Sequence, residues 1–159
     1  MENSKRKFKK FKKSKREKPE FEQKLLDLAR VTRVVKGGRR FSFRATMVIG
    51  DKKGRVGVGV GKGTDVSNAI GKAVNDAKKE MIDIEIKDGT IPYDVRIKRG
   101  SAKVMLKPAK KGRGIVAGGA VRAVVDLAGI NDIVSKSLGT ANKLNVARAT
   151  VEALKEFRK

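Results

Sequence analysis

Gly57-Val58-Gly59-Val60-Gly61-Lys62-Gly63-Thr64 has the residue types of a phosphate-cradling loop. Such a loop needs Gly-Lys followed directly by Ser or Thr, so that the amides hold phosphate and the hydroxyl reaches a metal ion. Here Gly63 intervenes, and the motif's first Gly falls at Val56. A dinucleotide fingerprint fails too, because no Gly-x-Gly-x-x-Gly occurs. What survives needs no catalysis. Lys62 and backbone amides stand where a helix begins, and the helix dipole there favours an anion. Gly112-Arg113-Gly114, followed by Gly118-Gly119, repeats the idea. Small residues let another backbone come close, and Arg113 and Arg122 add forked donors suited to phosphate or carboxylate. A tight strand-to-helix connection with surface arginines explains that stretch equally well.

The rest of the chemistry is set by absences. The 159 residues include no Cys and no His. Disulfides, thiolate sites, Cys nucleophiles and His-based triads are excluded. The carboxylates are scattered. Asp76 and Glu80 share a helix face, but Lys72, Lys78 and Lys79 neighbour them, so they read as intrahelical ion pairs. No acid–base pair, metal cage or cofactor site emerges, and the expectation is a protein without enzymatic activity.

Charge is the dominant signal: 40 Lys and Arg against 17 Asp and Glu, a formal net charge of +23. Hydrophobic residues make up 39 %, enough for a folded core. No run of about 18 apolar residues exists to span a membrane, and the basic N-terminus lacks the apolar segment of a secretory signal. The reading is a soluble intracellular protein with a polyanionic partner, nucleic acid first and an anionic membrane surface second. Residues 1–18 hold ten Lys or Arg and two Glu. So dense a like charge predicts a tail disordered in isolation. Its Lys9 and Lys12, with Phe8 and Phe11 between the lysines, suit an arm that threads along RNA. The plainer alternative is a solubilising tail.

The elements that must position these groups are legible from periodicity. Phe41, Phe43, Ala45, Met47 and Ile49 alternate with Ser42, Arg44, Thr46 and Val48, predicting a strand with one buried face. An extended run precedes it, so Lys36-Gly37-Gly38-Arg39-Arg40 reads as a cationic hairpin tip. Arg44, Lys52, Lys53 and Arg55 are expected to extend that basic surface, with Phe41 beside it. Val56, Val58 and Val60 alternate with Gly57, Gly59 and Gly61, a strand whose other face is bare backbone, open to an element or a ligand. A helix follows from Val66 to Met81, capped by Thr64 or Asp65. Residues 87–93 read as a linker or a wide turn. Val95–Lys98 and Val104–Leu106 are short strands, and Lys110 and Lys111 lie in a basic loop. Ala120–Ala128 is a helix closed by Gly129. Ile133 and Val134 start a strand or a helix. A last helix runs from Val146 to Phe157, with Asn145 as its cap. This gives an α+β protein: a basic tail at 1–18, one unit at 19–86, a linker at 87–93 and a second unit at 94–159.

Three stretches together resemble the small-subunit ribosomal protein five family of the bacterial type. They are Gly38-Arg39-Arg40-Phe41-Ser42-Phe43-Arg44-Ala45 through Gly57, Gly112-Arg113-Gly114-Ile115-Val116-Ala117-Gly118-Gly119-Ala120-Val121-Arg122 through Ile130, and Lys136-Ser137-Leu138-Gly139-Thr140-Ala141-Asn142 with Asn145-Val146-Ala147-Arg148-Ala149-Thr150. The resemblance implies a double-stranded-RNA-binding-like first domain without the usual first helix. It implies a second, non-catalytic small α/β sandwich. It further implies a cytoplasmic, ribosome-bound protein on small-subunit rRNA near the head–body junction. Ribosomal proteins four and eight would be neighbours. Protein three would join it and protein four along the path by which mRNA enters. The hairpin with Arg33 matches the loop that reaches the head. Gly114 and Arg122 match positions that influence decoding accuracy at the surface shared with protein four, and Arg113 lies beside them. The first turn of the helix after the third strand, Asp65-Val66-Ser67-Asn68, lacks the lysines of generic duplex-RNA binders. A free-standing RNA chaperone or duplex-RNA-binding regulator is the main alternative. A small-molecule kinase fragment is disfavoured by the failed phosphate-loop spacing.

Overall fold

The structure, a computed structural model, describes residues 20–157; the tail with Lys9 and Lys12 lies outside them. β1 (Glu22–Val35), β2 (Gly38–Gly50) and β3 (Arg55–Gly63) form an antiparallel meander, followed by α1 (Val66–Lys79) and the two-residue β4 (Ile82–Asp83). The strand order is β1-β2-β3-β4. The second half contains β5 (Val95–Arg99), β6 (Ala102–Pro108), β7 (Ile115–Val116), α2 (Gly119–Ala128), β8 (Ile133–Ser137) and α3 (Lys143–Lys155). Its sheet runs β5-β6-β8-β7, with only the β7–β8 pair parallel. Ile133 and Val134 therefore begin a strand. The α+β class agrees with the sequence.

The bare glycine face of β3 receives a helix rather than a ligand. A Cβ added at Gly59 would fall 2.8 Å from the Ala77 Cα, and one at Gly61 3.0 Å from the Ala73 Cα. Ala69, Ala73 and Ala77 are the buried residues of α1, so small residues meet bare backbone at Gly59 and Gly61, and the Met81 side chain joins them at Gly57. One expected pairing is replaced here. Asp76 makes no ion pair among the described residues; its Oδ2 accepts a hydrogen bond from the Val60 N–H at 2.9 Å. Beyond its short pairing with β4 at Arg55 and Val56, that side of β3 has no partner strand. The carboxylate satisfies a backbone donor that the sheet leaves open.

β2 does not have one buried face. From Ala45 to Gly50 every residue is buried. Ala45 and Met47 pack with Ala69 and Ala73, whereas Val48 joins Val56 and Val58 in a larger cluster. That cluster continues through Ile82 and Ile84 into Val124, Leu127, Val151 and Leu154 of the second half. The β2–β3 turn adds hydrogen bonds to the same junction. The Lys52 N–H donates to the Leu127 carbonyl at 3.0 Å, and the Gly54 N–H to the Ala128 carbonyl at 2.9 Å. These are carbonyls at the end of α2, which have no partner within the helix. Gly129 has φ +91°, and a Cβ there would strike the Lys52 backbone.

Two local readings change. α3 begins at Lys143, and its cap is Asn142, whose side chain accepts from the Leu144 and Asn145 N–H groups. Asn145 lies inside the helix. Asp65 occupies the cap position of α1 but makes no side-chain capping bond. Residues 87–93, read as a linker or a wide turn, contain a tight turn. Lys87 and Thr90 exchange backbone hydrogen bonds, and Ile91 is buried in the core.

Candidate nucleic-acid interface

The β1–β2 register decides where the cations of the hairpin fall. Val35 pairs with Gly38, leaving Lys36-Gly37 as a two-residue tip. Residues directly opposed in an antiparallel pair share a face, as do residues two apart. Arg33 opposes Arg40, and Arg44 opposes Lys62 on β3. Arg33, Arg40, Arg44 and Lys62 therefore lie on one face. All four are exposed, and none is in an ion pair among the described residues. Like charges directly opposed repel, so the arrangement stores unfavourable energy that a polyanion relieves.

The other face of the same hairpin is aromatic. Arg30, Val34, Arg39, Phe41 and Phe43 share it by the same register. The Arg30 guanidinium lies over the Phe41 ring, 3.7 Å from its centroid. That contact joins a planar cation to an aromatic ring. Arg30 was not singled out from the sequence, because its partner is diagonal across the pairing and visible only once the register is known.

Lys52, Lys53 and Arg55 do not extend this surface. They lie at the opposite end of the 13-residue β2, roughly 40 Å from the tip at strand spacing. Two of them are occupied. Arg55 Nε donates to Asp51 Oδ2 at 2.7 Å, and Lys52 Nζ lies 2.8 Å from Glu22 Oε2. Burial raises the Asp51 pKa, but hydrogen bonds from the Arg55 side chain and the Lys53 and Arg55 N–H groups outweigh it, and the net shift is downward. Lys52 and Arg55 are raised by the hydrogen bonds to their carboxylates. Lys53 is exposed with no ion-pair partner among the described residues.

In the second half, Lys110 and Lys111 open a tight turn in which the Arg113 N–H donates to the Lys110 carbonyl at 3.1 Å. Gly112 and Gly114 adopt φ of +89° and +75°, which glycine reaches without strain. The Gly114 N–H donates to Asp132 Oδ1 at 2.7 Å. Asp132 is buried, and sequence spacing carried no sign of this tether. Arg113 and Arg122 are exposed. Gly118 and Gly119 face open space at the start of α2. No cluster of three or more Asp, Glu, His or Cys suited to a metal ion exists among the described residues. No helix among them is long and apolar enough to cross a membrane.

Opposed cations on the hairpin and glycine-rich basic loops on two α+β units are the features of a polyanion-binding protein. Comparison with known families narrows that class. Residues 21–85 match the model for ribosomal protein S5, N-terminal domain, and residues 97–159 match that for ribosomal protein S5, C-terminal domain. The chain belongs to the ribosomal protein S5 family. It is 52 % identical over 135 residues to small ribosomal subunit protein uS5 of Campylobacter jejuni subsp. jejuni, covering 85 % of this chain and 92 % of the relative. It is 54 % identical over 140 residues to the protein of that name from Mycoplasmopsis agalactiae, covering 87 % and 61 %. Membership makes it a non-enzymatic ribosomal protein that binds rRNA and is ribosome-bound in the cytoplasm.

Proposed function

We propose that the chain fastens small-subunit rRNA near the junction of head and body. The observation that carries this reading is the single hairpin face with Arg33, Arg40, Arg44 and Lys62, where the one carboxylate at its inner end, Asp27, is taken by Lys143. Lys36, Gly37, Gly38 and Arg39 extend the contact around the tip, and Phe41 offers a ring beside it. Cations neutralise phosphates and release counterions, which gives affinity and salt dependence, while the shape of the RNA gives specificity. Lys53, Lys110 and Lys111 serve further RNA segments, and Lys52 and Arg55 do so only by sharing their carboxylate partners. Lys9 and Lys12 of the tail follow RNA as well. Arg113, Gly114 and Arg122 face ribosomal protein four, where they influence decoding accuracy. Protein eight is a second neighbour, and proteins three and four share with this chain the path of incoming mRNA.

The test is sedimentation of a cell lysate through a high-salt sucrose gradient, with detection of this chain. Co-migration with small subunits at salt that strips loose binders is the expected result. Recovery only at the top of the gradient would replace this reading with that of a free-standing RNA chaperone.

A further inference from the structure

Among the described residues seven large apolar side chains are exposed, and three of them, Leu28, Val34 and Phe41, stand on one face of the β1–β2 hairpin. Scattered singly, such residues need no explanation. Here they form a row. Val34 and Phe41 are diagonal neighbours across the pairing, Arg30 lies over the Phe41 ring, and Leu28 comes two residues before Arg30 on the same strand. At the inner end Phe43 packs against the cluster of Ala45, Met47, Ala69 and Ala73 under α1. Beyond it the row is uncovered: Phe41 is 48 % exposed and Val34 77 %. No Asp or Glu stands on this face between Leu28 and Phe43, whereas Arg30 and Arg39 do. Arg30 makes no ion pair among the described residues, and its guanidinium rests on the ring instead.

We propose that this face takes one unpaired nucleobase of RNA, stacked on the layer made by Arg30 and Phe41 with Val34 beside it; this rests on the RNA-binding reading above. A base is flat and carries a π face, so it stacks on a guanidinium or aromatic plane. Its faces are apolar, which suits Phe41 and Val34, and a phosphate gains nothing from either. It also arrives on a polyanionic strand, which two cations without a carboxylate attract. An apolar segment of a neighbouring protein has no comparable use for Arg30 and Arg39. β1 is the outer strand of its sheet, so one RNA strand can pass around its edge from the cationic face to this one. Inside a continuous duplex both faces of a base are covered by its neighbours. Only a base outside the stack, in a bulge, a loop or a strand end, can enter. The hairpin then tells an RNA with an extruded base from a plain duplex, a distinction that phosphate contacts do not make.

The experiment uses small subunits assembled with the full chain as wild type, Phe41→Leu or Arg30→Lys. Neither substitution changes a charge: the first removes the ring and the second removes the plane. Base reactivity is read on the rRNA with dimethyl sulfate and a carbodiimide, and the backbone footprint with hydroxyl radicals. The expected result is an unpaired base that wild type protects and both variants expose, with the backbone footprint unchanged. Loss of one base–aromatic stack is a factor of roughly 5–150 in binding, so the reactivity of that base should rise about fivefold or more. No base changing in either variant overturns the proposal, because a face that holds only phosphate tolerates both substitutions. Loss of the backbone footprint together with the base also overturns it. A photo-crosslinking residue in place of Val34 tests the other occupant in the same particles: a crosslink to rRNA is expected, and one to a protein overturns the proposal. Where Arg30→Lys lowers the unfolding midpoint of the free chain, Phe41→Leu and the crosslink decide the question. Wild type that enters the subunit and protects no base removes this inference alone, whereas failure to enter removes the RNA-binding reading with it.

Discussion

Arg33 and Arg40 stand directly opposite one another on β1 and β2, both exposed, with no carboxylate paired to either among the described residues. Function and stability pull in opposite directions at this pair. Arg40→Glu turns a repelling pair into an attracting one, worth about 0.2–1 kcal/mol to the hairpin. The same change removes one phosphate contact and adds a repelling charge. The unfolding midpoint should hold or rise while affinity for small-subunit rRNA falls at least tenfold. A matched pair of thermal melts and salt titrations decides it, and unchanged affinity would remove the cationic face from the RNA contact.

The seam between β3 and α1 predicts opposite outcomes for two glycines. Gly59→Ala drives a methyl group into the backbone of Ala73 and Ala77. Neither can yield as a side chain would, so the cost should reach or exceed the 1–3 kcal/mol of ordinary overpacking. Gly71, on the exposed side of α1, has nothing within 4 Å of an added Cβ. Gly71→Ala should stabilise by about 0.5–1 kcal/mol, because glycine is a poor helix residue. Urea unfolding of both variants checks the contrast.

Asp51 gives a pH dependence whose sign is fixed. Its carboxyl is held below the ordinary value of 3.8 by Arg55 and by two backbone N–H groups, against the opposing effect of burial. A depressed carboxylate contributes stability that is fully present above the unfolded pKa and is lost as pH falls through the folded one. Wild type should therefore lose this contribution only below about pH 4. Asp51→Asn should be less stable at neutral pH by about 1–2 kcal/mol, the loss of a charge-assisted hydrogen bond. Its stability should also change less between pH 4 and pH 2. Parallel pH profiles would reject the pairing as a source of stability.

Asn142→Ala should destabilise by about 1 kcal/mol, since it frees two N–H groups at the start of α3. Asn145→Ala lies inside the helix and should not reproduce that loss. Equal losses in chemical denaturation would contradict the assignment of the cap.

How far the sequence could be read follows from which interactions are local. The existence of β2, the glycine face of β3 and the apolar stripe of α2 come from periodicity and appear in the fold; the single buried face expected of β2 does not, because its inner half is covered on both sides. The glycine pair reads as the hairpin tip from the sequence, and a Gly37-Gly38 tip would set Arg33 opposite Ser42; the structure places the tip one residue earlier, at Lys36-Gly37, so the opposition of Arg33 and Arg40 was not legible. Nor was the cap of α3: Asn142 and Asn145 are both good capping residues, and only the helix start separates them. Asp76 looked like a partner for nearby lysines because intrahelical spacing is local, whereas the Val60 N–H lies 16 residues away. The Arg30–Phe41 contact crosses the β1–β2 pairing on a diagonal, without sequence spacing to announce it. The same holds for Lys52 and Arg55, whose carboxylate partners remove them from the surface they were expected to extend.

The bare-backbone seam has a mechanical meaning. From Gly38 to Arg44 the hairpin extends past the fully buried part of β2 as an arm of about 23 Å at strand spacing. Each degree of tilt at the root of such an arm moves its end by about 0.4 Å. At that root stand Gly59 and Gly61 against the backbone of Ala69, Ala73 and Ala77, with no side chain among the nearest contacts; Met81 reaches the seam only at its far end, beside Gly57. Where backbone meets backbone there is little room for the root to shift, and the direction of the arm is set within the protein.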